Sequence, residues 1–324
     1  MEHITRIGRT MIKIFYRFVT FYRIILGGTF HSKVPRFAKE GPNHSQILTV
    51  YNHKTKSERM LFYAPILLAK EIWMFRDHVL IVVKQHFRGL HYGYGFGVAW
   101  NYILPVVPLT VYLFLSKVRI FPSFDGVDGA VYLTFGATIW FLFTGFVQIP
   151  ISVVSARKDE VMKTAFPMSA AIVSGFGQLL FDTSIRVAFV AFVIVGFQNW
   201  PTVHGLVLFP LIIFPAFFLF VGIGIFLATL NLVYKDVSRV VTIILQYGIF
   251  VSGVLFPLRD VRYLDTLNLF NPLYVFIESS RSVVFRGFIS NPGSYAIMAF
   301  MALAVFFISC RIFFVMEYRL RGIR

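Results

Sequence analysis

Long apolar runs, separated by short charged segments, make up most of the chain after its first third. A helix that crosses the hydrocarbon core of a bilayer needs about 17 to 25 mainly apolar residues. The pattern therefore predicts an all-α polytopic membrane protein. The six predicted spans are 98–116, 129–154, 168–196, 204–229, 240–257 and 294–316.

Two further segments are apolar on one side and basic on the other. In residues 4–26, basic residues recur three or four positions apart among Ile, Phe, Tyr and Val. Such a helix lies in the headgroup layer of a membrane, and a short transmembrane helix is the alternative. With the polar stretch that follows it, this helix forms a predicted cytoplasmic extension over residues 1–64. Residues 71–89 predict a second interface helix, at the start of a membrane domain over residues 65–324.

Three glycines alternate just before the first predicted span: Gly93, Gly95 and Gly97. A phosphate-binding glycine loop requires a strand before it and a helix after it, whereas this stretch follows the basic interface segment. The dipeptide Gly-Lys, which the phosphate loop of ATPases contains, occurs nowhere in the chain. Because glycine tolerates sharp bends, the triplet predicts a hinge into a span that starts near Trp100 and contains Pro105.

The stretch after the fifth predicted span, residues 258–293, mixes apolar residues with charges and prolines. It is too interrupted to span a bilayer and too apolar for an ordinary loop. Such a sequence favours short re-entrant helices on the outer side, shielded by protein or lining a water-filled path.

Composition and charge agree with a membrane location. Charged residues make up 14% of the chain, against roughly 25% in soluble domains, and the mean hydropathy is +0.72. The formal net charge is +16, and residues 1–96 alone contain fifteen Lys and Arg against five acidic residues. Cytoplasmic segments of membrane proteins carry such an excess, which predicts that both termini are cytoplasmic. The positive charge then sets the orientation of the chain in the membrane and attracts anionic lipid, and a nucleic-acid partner is not expected.

The third predicted span contains two opposite charges, Asp182 and Arg186, one helical turn apart. Pairing would sharply reduce the cost of burying each charge in the membrane. An ion path is one hypothesis for these residues. A structural pair that fixes helix packing is the simpler one, and we favour it.

Short motifs follow one another in order along residues 65–324. With them, this region resembles the membrane subunit of type-2 ABC transporters that export polysaccharides such as O-antigen, capsule and teichoic acid. Phe96, Asp159 and Arg186 depart from the family pattern, as does the long N-terminal extension. The matching residues are Gly97, Trp100 and Pro105; Gly136, Trp140 and Phe141; Lys163, Phe166 and Pro167; Leu230, Asn231, Tyr234, Lys235, Asp236 and Val237; and Asn271, Pro272, Leu273 and Glu278.

The resemblance implies the permease subunit of an ATP-driven exporter for lipid-linked polysaccharide in the bacterial inner membrane. Such a subunit works as a homodimer with two ATPase subunits, which bind ATP and Mg²⁺. No catalytic residue, cofactor or metal is then expected in this chain. The first cytoplasmic loop of the family docks on the ATPase, and the second is an equal candidate for docking or for a solvated turn. The implied coupling residues are Asp159, Met162, Lys163, Phe166, Pro167, Tyr234, Lys235 and Asp236.

Four aromatic residues in the first and fifth predicted spans are candidate channel-lining residues, with packing as the alternative: Tyr102, Tyr112, Tyr247 and Phe250. Aromatic planes suit a sliding polymer, because sugar rings pack on them without exact register.

Three other functions remain open. The same fold exports drugs or lipids in some transporters. A membrane-embedded glycosyl or acyl transferase would need clustered His, Asp or Ser in the spans, which the sequence lacks apart from Asp182 and Arg186. A secondary transporter typically has two repeated halves, and no such repeat is visible.

Overall fold

The computed structural model describes residues 63–89, 99–118, 123–163 apart from 125, 166–257 and 268–322. The helix predicted over residues 4–26, most of the N-terminal extension and the glycine triplet lie outside these ranges. The helices are α1 (Tyr63–Met74), α2 (Arg76–Gly89), α3 (Trp100–Lys117), α4 (Gly129–Lys163), α5 (Met168–Gly196), α6 (Val203–Asn231), α7 (Asp236–Gly248), α8 (Pro272–Arg286) and α9 (Pro292–Gly322).

Four segments within the described ranges are long and apolar enough to cross a membrane. They lie in α4, α5, α6 and α9, and they agree with the predicted second, third, fourth and sixth spans. The prediction of an all-α multi-pass membrane protein is therefore confirmed. The segments are Gly129–Arg157, Met168–Gly196, Val203–Asn231 and Pro292–Glu317.

The other two predicted spans correspond to shorter helices. The first, 98–116, is the 18-residue α3, which contains two prolines. The fifth, 240–257, is the 13-residue α7, extended only by a 3-10 turn at Ile249–Val251. The helix stops there because Gly253 has a φ of +74°, a left-handed conformation that ends a helix. The count of six spans stays a prediction.

The predicted interface helix over 71–89 covers the last turn of α1 and all of α2, which meet at Phe75. Hydrogen bonding continues through the break, since the Phe75 N–H donates to the Glu71 carbonyl. Helix α2 packs on α5, where a Cβ on Gly177 would lie 2.7 Å from a methyl group of Val83. The position of α1 and α2 relative to the membrane stays a prediction.

Helix α4 is the centre of the bundle, because α3, α5, α6, α7 and α8 all contact it. Small residues allow this close packing, as is common between membrane helices. A Cβ on Gly224 of α6 would lie 2.5 Å from the Phe146 carbonyl oxygen of α4. Helix α9 packs along the other side of α6, where Gly222 faces the backbone of Phe306.

Hydrogen bonds between neighbouring elements define two ends of the bundle. At the Asp128 end, the Asp128 N–H donates to the Asn199 side chain over 2.6 Å, and Thr202 caps α6 by accepting from the Gly205 N–H. At the opposite end, which we name the Asn231 end, α4, α6 and α7 meet around Asn231.

Helix α8 lies inside the bundle although it is only 15 residues long. It is buried from Tyr274 to Val284, and the Phe276 ring packs on Phe143 and Phe220. Its last turn lies at the Asp128 end, where the Thr202 N–H donates to the Val284 carbonyl over 2.9 Å. A short buried helix thus lies within the region predicted to be re-entrant, and its re-entry into a membrane stays a prediction. Residues 258–267 lie outside the described ranges.

Candidate functional site

The first predicted coupling loop is largely an extension of α4. Asp159, Met162 and Lys163 lie in the last turns of this 35-residue helix. Phe166 and Pro167 follow directly before α5. The helical part of the first predicted coupling loop is therefore continuous with α4.

Phe166 packs within the chain. Its ring lies edge-on to the Phe75 ring with centroids 5.8 Å apart, and 5.7 Å from the His78 ring. These partners flank the junction between α1 and α2. The first predicted coupling loop is therefore anchored to the predicted interface helices by an aromatic cluster, a contact that the sequence did not predict.

The start of α5 is held from the other side by the last turns of α9. The Met168 N–H donates to a carboxylate oxygen of Glu317 over 2.8 Å. A negative charge at a helix N-terminus is favourable, because the helix dipole and the unpaired N–H groups attract it. Glu317 is the single acidic residue of a basic C-terminal segment, and nothing local in the sequence indicates this role.

Asn231 connects the second predicted coupling loop to the bundle. Its amide nitrogen donates to the Ser155 hydroxyl over 2.7 Å, and its oxygen accepts the Ser238 N–H over 3.0 Å. One buried side chain therefore joins α4, α6 and α7.

The predicted coupling residues after Asn231 differ in exposure. Tyr234 is half-buried, whereas Lys235 and Asp236 are exposed. Asp236 lies 3.8 Å from Arg239 in a solvent-exposed pair, which contributes little to stability. Lys235 and Asp236 are thus the accessible members of the predicted coupling set in this loop.

The charged residues of α5 contact neighbouring side chains and backbone. The Arg186 Nε donates to the Pro105 carbonyl over 3.3 Å, and the guanidinium carbon lies 5.0 Å from the centroid of the Phe141 ring. Asp182 accepts a 2.6 Å hydrogen bond from Gln178. Arg186 therefore ties α3 to α5 through the backbone of a proline. The hypothesis of a pair with Asp182 stays a prediction.

The candidate channel aromatics fall into two groups. Tyr102 is exposed on α3 and packs edge-on to Phe181, whereas Tyr112 is half-buried against the core. Tyr247 and Phe250 are exposed at the end of α7 and in the turn that follows it. Trp100 is half-buried at the start of α3. The positions of the exposed aromatics are compatible with a lining role, which stays a prediction.

The motif in the second span has a packing explanation. A Cβ on Gly136 would lie 2.5 Å from a guanidinium nitrogen of Arg281, and the buried Trp140 ring occupies the space beside Gly248. The glycine and the tryptophan therefore fit α4 against α8 and α7.

A buried ion pair in α8 is the polar site that sequence analysis missed. Arg281 donates to Glu278 over 2.8 Å, and the two residues are only 3% and 8% exposed. The spacing of three residues in a helix was the available signal. Within the described ranges, no three His, Cys, Asp or Glu side chains come together as a metal site, and cofactor content stays a prediction.

The fold and these sites define a multi-pass helical membrane protein with polar contacts at both ends of the bundle and along the middle of α5. The sequence profile described as ABC-2 type transporter matches residues 77–285, which is more than half of the chain. The chain belongs to the ABC-2 type transporter family.

The chain is also similar to two characterised proteins. The chain is 23% identical over 246 residues to the O-antigen export system permease protein RfbA of Myxococcus xanthus, which covers 74% of this chain and 92% of the relative. It is 31% identical over 94 residues to the polysialic acid transport protein KpsM of Escherichia coli, which covers 28% of this chain and 36% of that relative.

Proposed function

We propose that this chain is the transmembrane subunit of an ATP-driven exporter of lipid-linked polysaccharide. The observation that carries the proposal is the similarity to an O-antigen export permease along 92% of that relative's length. The second relative is a polysialic acid transport protein, so the two share a polysaccharide cargo. The bundle of long apolar helices supports a transport role.

The exporter is proposed to contain two copies of this chain and two ATPase subunits, which bind ATP and Mg²⁺. Membership of the ABC-2 family supports ATPase partners. Helices α3 and α7 both contact α4 and expose large apolar residues such as Tyr102, Ile244 and Tyr247. These exposed side chains are apolar enough to meet a second copy and to border a path for the polymer.

The complex is proposed to lie in the bacterial inner membrane with the Asn231 end in the cytoplasm, facing the ATPase. The positive-inside distribution of charge supports this orientation. The docking surface is the end of α4 together with Lys235 and Asp236, and the Phe166 cluster holds it against α2. Glu317 and Asn231 link the same surface to α9 and α7, so a push on it reaches several helices.

Deleting the gene tests the proposal against its alternatives. We expect surface polysaccharide to disappear while the lipid-linked polymer accumulates inside the cell, and a plasmid copy to restore export. Loss of a glycosyl transferase would instead remove the polymer itself. Unchanged surface polysaccharide with altered drug or lipid efflux would contradict the proposal and favour the drug or lipid exporter.

A further inference from the structure

The middle of α8 is polar although it is buried. Glu278, Ser279, Ser280, Arg281 and Ser282 follow one another, and each is at most 8% exposed. Two charges in a bundle interior carry a desolvation cost that a pair of apolar residues would avoid. We therefore ask which parts of the chain the two charges hold in place.

Arg281 contacts three separate parts of the chain. Besides Glu278 on its own helix, its Nη2 donates to the Gly253 carbonyl over 3.2 Å and lies 3.5 Å from the Tyr132 carbonyl. Its guanidinium carbon lies 3.4 Å from the centroid of the Tyr132 ring. The Tyr132 hydroxyl also donates to the Gly253 carbonyl over 3.3 Å. Arg281 thus joins α8, α4 and the turn after α7.

The space around the guanidinium is shaped by two glycines. A Cβ on Gly136 would lie 2.5 Å from Nη2, so any other residue there displaces the charge. Gly253 has a φ of +74°, and a Cβ on it would lie 2.7 Å from the Tyr274 ring. This conformation turns the Gly253 carbonyl toward both Arg281 and Tyr132. Helix α8, helix α4 and the turn after α7 therefore meet at the Arg281 guanidinium.

The turn held by Arg281 ends the helix that borders the proposed path. Gly253 lies two residues after the 3-10 turn Ile249–Val251, which continues α7. The exposed apolar side of this region includes Ile244, Tyr247 and Phe250. Displacing Gly253 would move this exposed side relative to α4.

We propose that Arg281, oriented by Glu278, is a positioning residue that sets the end of α7 against α4, and that export requires this placement. The inference rests on the proposed function for its link to export, and not for its statement about position. It assigns a role in transport to a buried pair that contacts neither the cytoplasmic loops nor the Asn231 end.

Four variants separate the role of the pair from simple burial of a charge. Removing both charges in Glu278→Met with Arg281→Met leaves no unpaired charge, so the bundle is expected to assemble. Arg281→Lys keeps a cation and should preserve part of the function. Lys117→Met is the control for the loss of a single cation, because Lys117 is exposed in the last turn of α3. Gly136→Ala displaces the guanidinium by one methyl group and changes no charge.

The position of α7 is measured directly with spin labels. Cys310 is the sole cysteine, so Cys310→Ala provides a clean background for labels at Phe250→Cys and Val203→Cys, which are both exposed at the Asp128 end. Labelled chain is diluted with unlabelled chain in nanodiscs, and the distance distribution is recorded without ATPase or cargo. Export and recovery of the ATPase complex are measured in parallel.

We expect the double variant to keep complex recovery within twofold of the wild type, to shift or broaden the label distance, and to lower export at least tenfold. Arg281→Lys should lie between the double variant and the wild type, and Lys117→Met should match the wild type. Wild-type distances in the double variant, or a shifted distance with wild-type export, would overturn the proposal. If the double variant does not assemble, Gly136→Ala decides by the same criteria. A wild-type chain that exports no polysaccharide refutes the proposed function, while the label distances still test the position of α7.

Discussion

At the residue scale, single side chains connect helices that are distant along the chain. Asn231 bonds to Ser155 of α4 and to the backbone of Ser238 in α7. Phe166 packs on Phe75 and His78 at the start of α2. Each contact lies next to a predicted coupling loop, so these residues set the shape of the surface that is proposed to meet the ATPase.

Replacing Asn231 tests the first of these connections. Asn231→Leu leaves the half-buried Ser238 N–H without its partner and breaks the link to Ser155, whose exposed hydroxyl still donates to the Ile151 carbonyl. A polar group left unpaired costs about 1–3 kcal/mol when it is buried. We expect a lower melting temperature for the purified protein, measured by tryptophan fluorescence in detergent. Ser238→Ala keeps the backbone N–H that Asn231 binds and removes only a hydroxyl that bonds to the Lys235 carbonyl. Equal melting of all three proteins would show that Asn231 does not bridge these helices.

Replacing Phe166 tests the aromatic anchor of the first loop. Phe166→Asp places a charge between Phe75 and His78 and should release the loop, so we expect reduced recovery of the ATPase complex with the membrane bundle intact. Phe166→Tyr keeps the ring and should behave as the wild type. Co-purification with the ATPase and transport measure the effect. Unchanged recovery and unchanged export in Phe166→Asp would refute the coupling role.

At the element scale, apolar content alone placed α4, α5, α6 and α9 close to their observed bounds. Helix α3 also lies within two residues of the predicted 98–116, whereas α7 covers only part of the predicted 240–257 because the turn at Gly253 ends the regular structure. The segment 71–89 was predicted from its basic and apolar faces and forms two helices. Helix α2 packs on α5 at Gly177, where there is no side chain to keep the two helices apart. A pattern of hydrophobic and polar positions does not predict such a contact.

The contact between α2 and α5 is tested by a compensating pair. Gly177→Ala places a methyl group 2.7 Å from Val83, so we expect α2 to be pushed away and ATPase stimulation by the chain to fall. Adding Val83→Ala removes the methyl groups that clash and should restore much of the stimulation. Val83→Ala alone is the control for the loss of packing. A Gly177→Ala protein that behaves as the wild type would show that α2 is free to shift without consequence.

At the scale of the whole molecule, the chain is a membrane bundle whose two ends have different chemistry. The Asn231 end gathers the proposed coupling contacts of Glu317, Asn231 and Phe166. The Asp128 end contains the buried pair of α8 and the caps of α4 and α6. In the proposed exporter, the energy source and the exit for cargo lie at opposite ends.

An assay of ATP hydrolysis tests whether the ATP site belongs to a separate subunit. The purified chain in liposomes should not hydrolyse ATP, and hydrolysis should appear when the partner ATPase is added. The reason is that the sequence contains no Gly-Lys of a phosphate loop. Phosphate release is the measurement, and an ATPase with its catalytic residue removed is the control. Sustained hydrolysis by the isolated chain would contradict the proposed assembly.

The sequence by itself determined the helical class, the four long spans and the family, because these depend on the apolar content of local stretches and on short motifs. It also marked Gly136, Trp140, Asn231 and Glu278 as family positions, although it did not show what they contact. Hydrophobic runs are sufficient to predict the long helices, since a helix satisfies its own backbone hydrogen bonds in an apolar environment.

The tertiary structure alone decided which polar groups meet. Arg281 and Tyr132 are 149 residues apart, as are Met168 and Glu317. No local pattern encodes such pairings, because each partner is set by how α8 and α9 pack on the other helices. The position of a buried guanidinium depends on absent side chains at Gly136 and on a left-handed turn at Gly253. Both features depend on the three-dimensional packing of the helices, so the periodicity of the sequence does not predict them.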